Sequence, residues 1–151
     1  KNSKTKSFIG GKKMKPDVSL DFQFTSSIEQ VWKALTESEM LAEWIWDNDF
    51  KPVVGHKFQF RAEPSEWWDG IVDGEVLEVD EPNRLSYTWA SAGEITTVTW
   101  TLKESSDGTI TLHLDQTGFS EATKAQEGAI EGAKYGWTSM TNKLEKVLAE
   151  Q

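Results

Sequence analysis

Apolar and polar residues alternate through the middle of this chain and change to helical spacing near its end. Val18, Leu20, Phe22 and Phe24 fall on one side of a strand over Asp17 to Phe24, with Ser19, Asp21 and Gln23 on the other. Ser26 then opens a Ser-x-x-Glu capping box with Glu29, and Ile28, Val31, Trp32 and Leu35 follow as the apolar face of a short helix. Thr36 and Glu39 repeat the box spacing and predict a second short helix carrying Met40, Leu41, Trp44 and Ile45. Asp47 to Val54 reads as a loop ended by Gly55.

An antiparallel meander follows. Phe58 and Phe60 share the apolar face of a strand over Lys57 to Ala62, and a polar connection from Pro64 to Asp69 holds Trp67 and Trp68. Ile71 to Val79 is the next strand, with a bulge where Val76 and Leu77 break alternation. A turn at Glu81, Pro82 and Asn83 leads to Arg84 to Ala90, which aligns Leu85, Tyr87 and Trp89. Ser91 to Gly93 turns the chain into Ile95 to Lys103, with Val98, Trp100 and Leu102 inward and threonines outward. Asp107-Gly108 is a hairpin signal, and Thr109 to Thr117 sets Ile110, Leu112 and Leu114 on one face.

From Ser120 to Gln151 the apolar residues Ala122, Ala125, Ala129, Ala133, Trp137, Met140, Leu144 and Leu148 recur three or four apart. This predicts one long helix, capped by Ser120 and roughly 45 Å long at about 1.5 Å per residue. Gly128, Gly132 and Gly136 interrupt it. Each weakens a helix interior by about 1 kcal/mol relative to alanine. Either the helix breaks near Gly128, or the absent side chains serve close packing or leave room for a ligand. The element order is α+β: a strand, two short helices, an antiparallel run of strands, and a helix able to cover the sheet's apolar face.

Composition narrows the chemistry. The 151 residues hold eight Trp and seven Phe but no Cys, which excludes disulfides, thiol nucleophiles and zinc-thiolate or iron–sulfur sites and suits the cytoplasm. Net charge is −9; six of the 16 basic residues lie in residues 1–15, so 10 face 25 acids in the remainder, a balance of −15. Such an acidic body argues against nucleic acid as partner. Residues 1–15 read as a basic, flexible tail, with Met14 a candidate natural start, and residues 16–151 as a single domain. No apolar run reaches the length of a transmembrane helix.

Motifs for catalysis are scarce. His56 and His113 stand far apart and read as surface residues; neither a metal-ligand spacing nor a cofactor motif is present. Gly10-Gly11-Lys12 is too short for a phosphate loop. What exceeds the needs of a small core is the aromatic load of Trp44, Trp46, Trp67, Trp68, Trp89, Trp100 and Trp137. These indoles either pack the core with their N–H groups bonded or line a pocket suited to a flat apolar molecule.

Several stretches carry a family resemblance. Val31-Trp32-Lys33-Ala34-Leu35-Thr36, Trp44, Phe50-Lys51-Pro52-Val53-Val54-Gly55, the run from Gly74 to Trp89, Val98-Thr99-Trp100-Thr101-Leu102, Gly118-Phe119 and Gly136-Trp137 together resemble the activator of heat-shock-protein-90 ATPase homologue family. The likeness runs from about Lys15 to the C-terminus; Glu37-Ser38 departs from the family's frequent Asp-Pro. It implies the START-like, Bet v 1-like (SRPBCC) helix-grip fold: a curved antiparallel sheet of about six or seven strands wrapped around a long C-terminal helix, with a cavity between them.

It also implies binding of a hydrophobic, aromatic or polycyclic small molecule such as a lipid, flavonoid or polyketide-like compound. The expected walls are Phe58, Phe60, Trp68, Tyr87, Trp89, Trp100, Trp137 and Met140, with Gly132 and Gly136 making room. Two alternatives accompany this expectation. One is a polyketide cyclase-like enzyme, for which Arg61, Glu66 and Tyr87 are the candidate acid–base groups. The other is a co-chaperone or protein-interaction module linked to the stress response, although family members that engage the chaperone carry an additional N-terminal domain.

Overall fold

Alternation becomes burial on two neighbouring interior strands of the sheet. On Ile110–Thr117, every residue from Ile110 to Gln116 in steps of two is buried and the residues between are half-buried; on Glu94–Glu104, Thr96, Val98, Trp100 and Leu102 are buried in the same way. A computed structural model, which describes residues 15–150, extends this pattern into one sheet. Its strands in chain order are β1 (Val18–Phe24), β2 (Asp47–Asn48), β3 (Lys57–Arg61), β4 (Ile71–Asp80), β5 (Arg84–Ser91), β6 (Glu94–Glu104) and β7 (Ile110–Thr117). They pair antiparallel in the order β1-β7-β6-β5-β4-β3-β2. The first strand thus closes beside the last. The helices are α1 (Ile28–Thr36), α2 (Ser38–Trp44), α3 (Glu121–Ala125) and α4 (Ala129–Ala149). This is the expected seven-stranded antiparallel α+β architecture, with two short helices after the first strand and a long helix at the end.

Four details differ from the sequence reading. The capping box at α1 is formed by Ser27 and Gln30, not Ser26 and Glu29: Gln30 N–H donates to Ser27 Oγ at 3.2 Å and Ser27 N–H to Gln30 Oε1 at 3.2 Å. Adjacent serines and adjacent acid/amide residues satisfy the pattern in either frame. Thr36 does not cap α2. Its hydroxyl donates back to Trp32 O at 2.8 Å, and the N-cap is Glu37, which makes no side-chain capping bond. The stretch read as loop contains the short strand β2, pinned where Asn48 Nδ2 donates to Ser38 O at 3.1 Å and to Trp46 O at 2.9 Å.

The fourth concerns the long helix. It breaks where the glycines allowed it to: α3 ends at Ala125, and Gly128, at φ 84, precedes α4. That left-handed conformation is accessible to glycine without a Cβ clash. Ser120 does cap a helix, the short α3, by accepting from Thr123 N–H at 3.1 Å. Ala122 and Ala125 are consequently exposed. The buried line along α4 is Trp137, Thr141, Leu144, Val147 and Leu148, so its C-terminal half grips and its first two turns bury no side chain fully. α4 packs on α1, α2, α3 and β1.

The expected bulge is present, a register shift between Val76 and Glu78 opposite β5. Gly74, two residues earlier, is required by a close approach: a Cβ there would lie 2.4 Å from Phe58 Cζ and 2.7 Å from Thr88 O. Among the described residues no helix is long and apolar enough to cross a membrane. Apart from Lys15, the expected basic tail lies outside the described residues.

Candidate functional site

Inward-facing aromatics of β3, β5 and β6 meet Trp137 of α4 and the ends of two loops. Phe58 and Phe60 touch edge to face at 5.5 Å between centroids, as do Phe58 and Tyr87 at 5.4 Å. Trp100 meets Trp137 at 5.5 Å and Trp44 at 5.8 Å, again edge-on. These rings are buried and fill space against one another. Nearer the rim the geometry changes. Trp137 touches Trp89 at 4.9 Å, Trp89 touches Trp46 at 6.3 Å, and Trp46 touches Trp68 at 5.6 Å, all tilted. Trp46, Trp68, Trp89 and Met140 are only partly buried. One continuous run of indoles therefore leads from the interior to solvent.

Of the ten residues expected to line a pocket, Phe58, Phe60, Tyr87, Trp100 and Trp137 lie in the core, and Trp68, Trp89 and Met140 lie at its margin. Gly136 is half-buried and Gly132 exposed; a Cβ on either would meet nothing within 4 Å. Close packing is thereby removed as the reason for these two glycines. Trp46 joins the run although the expected wall omitted it. Its signal was weak, because it stands in an irregular stretch after α2 where neither helical nor strand periodicity indicates a facing.

The polar atoms of the buried rings are largely satisfied inside the protein. Trp44 Nε1 donates to Ala34 O at 2.9 Å, Trp100 Nε1 to Tyr87 Oη at 2.9 Å, and Trp68 Nε1 to Ser91 Oγ at 2.9 Å. Trp137 Nε1 donates to Gln116 Oε1 at 2.8 Å, Gln116 Nε2 to Thr96 Oγ1 at 2.9 Å, and Thr96 Oγ1 to Trp89 O at 3.1 Å. Trp46 and Trp89 have no indole hydrogen bond among the described residues.

Charged side chains stay outside. Among the described residues no Asp, Glu, Lys, Arg or His is buried. Tyr87 is, and burial pushes its phenol well above the usual range, against a smaller opposing effect of the Trp100 hydrogen bond. It is therefore a neutral hydroxyl. Arg61 and Glu66 are exposed, so the three candidate acid–base residues are not brought into one interior site. Arg61 instead pairs with Asp49 at 3.6 Å and donates from Nε to Gln59 Oε1 at 3.3 Å. His56 Nε2 lies 2.8 Å from Asp49 O. His113, on the outer face of the sheet, is half-buried between Asp21 and Asp115. No group of three or more His, Cys, Asp or Glu suited to a metal occurs among the described residues.

Beside the run lies an open groove of about 460 Å³, lined by Ala42, Ile45, Trp46, Asp47, Arg61, Ala62 and Glu63. The loop over residues 62–70 stands next to it. Ala62 N–H donates to Gly70 O at 2.7 Å and Ser65 N–H to Trp68 O at 2.8 Å. Trp67 on that loop is 89% exposed.

Comparison with known proteins agrees on one group. The model of the family described as Activator of Hsp90 ATPase homolog 1-like protein matches residues 25–149. A Mesorhizobium loti protein of solved structure is 38% identical over 89% of this chain and 97% of its own, with a TM-score of 0.78. A Bacillus halodurans protein is 30% identical over 86% of this chain and 94% of its own, at 0.69. The structure described as an Hsp90 activator from Plasmodium falciparum, 20% identical over 87% of this chain and 95% of its own at a TM-score of 0.71, shares the fold. No curated protein matches the chain.

Proposed function

Because this chain belongs to the family of Activator of Hsp90 ATPase homolog 1-like proteins, within the START-like helix-grip superfamily, we propose that it binds a hydrophobic small molecule with a flat aromatic or polycyclic body. The observation that carries this reading is the tilted run Trp137–Trp89–Trp46–Trp68, which passes from the core to partly exposed rings. Gly132 and Gly136, with open space where a Cβ would stand, are the strip of α4 left free for the ligand. Trp68, Trp89 and Met140 form the mouth. Phe58, Phe60, Tyr87, Trp100 and Trp137 form the back wall, into which a ligand advances only if those rings shift.

The hydrogen bonds support a particular mode of recognition. Trp68, Trp100 and Trp137 spend their N–H groups within the protein and offer ring faces. Trp46 and Trp89 keep donors that can meet a ligand oxygen, which favours an oxygenated ring system of flavonoid or polyketide type over a plain acyl chain. A cyclase-type reaction calls for an interior base. The described residues hold only the neutral Tyr87 there, which favours binding over turnover.

The test is a ligand panel of fatty acids, flavonoids, polyketide-like aromatics and aromatic amines, followed by tryptophan fluorescence and by NMR of the indole N–H groups. Expected are shifts at Trp46, Trp68 and Trp89 with one chemical class, and weaker binding in a folded Gly132→Leu variant. A Gly132→Leu protein that binds normally places the glycine strip in solvent. If no compound moves these indoles, the reading fails.

Protein interaction is supported separately by adjacent Val53 and Val54, which are 58% and 61% exposed in the loop before β3. A pull-down with a bacterial chaperone, compared with Val53→Ser/Val54→Ser, tests it. Equal capture by both proteins counts against this surface.

A further inference from the structure

The charges around the groove beside Trp46 bear on what kind of aromatic molecule the site prefers. Trp46 shares this groove with Asp47, Arg61 and Glu63. Arg61 already has an anionic partner in Asp49, whereas Asp47 and Glu63 form no ion pair among the described residues. The adjoining loop adds the exposed Glu66, likewise without an ion pair among the described residues, and residues 62–70 include no lysine or arginine. Exposed carboxylates thus stand beside partly buried indoles whose faces carry negative electrostatic potential.

We infer that the ligand is a cationic aromatic molecule: a flat apolar body bearing a protonated or quaternary amine, with the body on Trp46 and Trp89 and the cation toward Asp47 and Glu63. This rests on the hydrophobic-binding reading and narrows it. Both elements act in the same direction. The indole faces favour a cation over a neutral group of equal size. The carboxylates raise the local concentration of cations and repel anions, an effect that weakens with salt. An anionic ligand would meet one cation there, Arg61, already facing Asp49 at 3.6 Å, beside two carboxylates that form no ion pair among the described residues.

The experiment uses one apolar body with three head groups: naphthylmethyl-trimethylammonium, naphthylmethanol and naphthylacetate. Each is titrated into the full chain by calorimetry, with NMR of the indole N–H groups to locate it. The cation is expected to bind about tenfold more tightly than the alcohol. The anion should bind more weakly than the alcohol. In the Asp47→Asn/Glu63→Gln variant, with its fold verified by circular dichroism, the preference for the cation should fall severalfold while the alcohol binds as before. Added salt should weaken the cation and leave the alcohol unchanged. Equal affinity for cation and alcohol, or tightest binding of the anion, overturns the inference and leaves hydrophobic binding intact. Failure of all three probes to perturb Trp46 and Trp89 overturns the inference, while the broader ligand panel decides hydrophobic binding by itself.

Discussion

At the scale of single residues, two positions carry local energetics that can be tested directly. The β5–β6 turn is made by Ala92 at φ 53 and Gly93 at φ 83, both in the left-handed region. A two-residue turn of this hand suits Asn-Gly, and an L-residue other than glycine is strained there by about 1–2 kcal/mol. Ala92→Asn is therefore expected to stabilise the protein by about 0.5–1 kcal/mol, which thermal melts would register as about 2–4 °C per kcal/mol for a chain of this size. His113 is the second position. Partial burial by itself lowers its pKa, but the Asp21 and Asp115 carboxylates, at 2.6 Å and 3.0 Å from its two ring nitrogens, outweigh it and the net direction is upward. A raised folded-state pKa means that the stabilisation is fully present below the unfolded value of about 6.5 and is lost as pH rises through the higher folded value. Lys103 lines the same outer groove and, among the described residues, is the one basic side chain there besides His113. Melts at a series of pH values should show wild type losing stability relative to His113→Gln from about pH 6.5 upward. Parallel curves for the two proteins would show that the clamp contributes nothing.

Among the elements, α4 offers the clearest contrast, because one substitution changes sign over a single turn. Gly128 is held at φ 84, so Gly128→Ala is expected to cost about 1–2 kcal/mol despite the open space around it. Gly132 sits within the helix with nothing within 4 Å of the point a Cβ would occupy, so Gly132→Ala should gain about 1 kcal/mol from helix propensity. Thermal melts of the two variants on either side of wild type would support this account. A destabilised Gly132→Ala would mean that the glycine serves packing after all. The uneven burial of α4 adds a dynamic expectation. Amides before Trp137 should exchange with solvent faster than those around Leu144 and Leu148, whose side chains are 0% and 5% exposed.

For the molecule as a whole, a buried polar chain ties the gripping helix to the sheet. Trp137 on α4, Gln116 on β7, Thr96 on β6 and the carbonyl of Trp89 on β5 are linked in series. Gln116→Leu removes the middle link and leaves a buried indole N–H without its acceptor. The expected loss is about 1–3 kcal/mol, measured by denaturant unfolding. Adding Trp137→Phe should cost much less in that background than in wild type, a coupling of about 0.5–3 kcal/mol in a double-mutant cycle. Additive losses would show that the chain is incidental to stability. The same link connects fold and site, since it fixes Trp137 at the inner end of the indole run.

The identity, facing and order of the longer strands were legible in the sequence, because period-two burial on β6 and β7 and the Asp107-Gly108 turn are local properties; the two-residue β2 was not, since it exists only by pairing with β3. The bulge on β4 was legible too, as a break in that period. The frame of the α1 capping box was not, since Ser26/Glu29 and Ser27/Gln30 satisfy the same pattern and only the reciprocal Ser27–Gln30 hydrogen bonds of the folded chain separate them. The break at Gly128 was one of two options that propensity left open; the backbone's left-handed turn decided it. The sequence supplied the aromatic residues of the candidate site but not their division into core and mouth. Periodicity states that a ring faces inward. Whether that ring is sealed in the core, as Phe58 and Tyr87 are, or stays partly exposed at the protein's edge, as Trp46 and Trp68 do, depends on where the helix and the loop over residues 62–70 come to rest on the sheet. That placement is set by contacts between residues far apart in the chain, which no local pattern records.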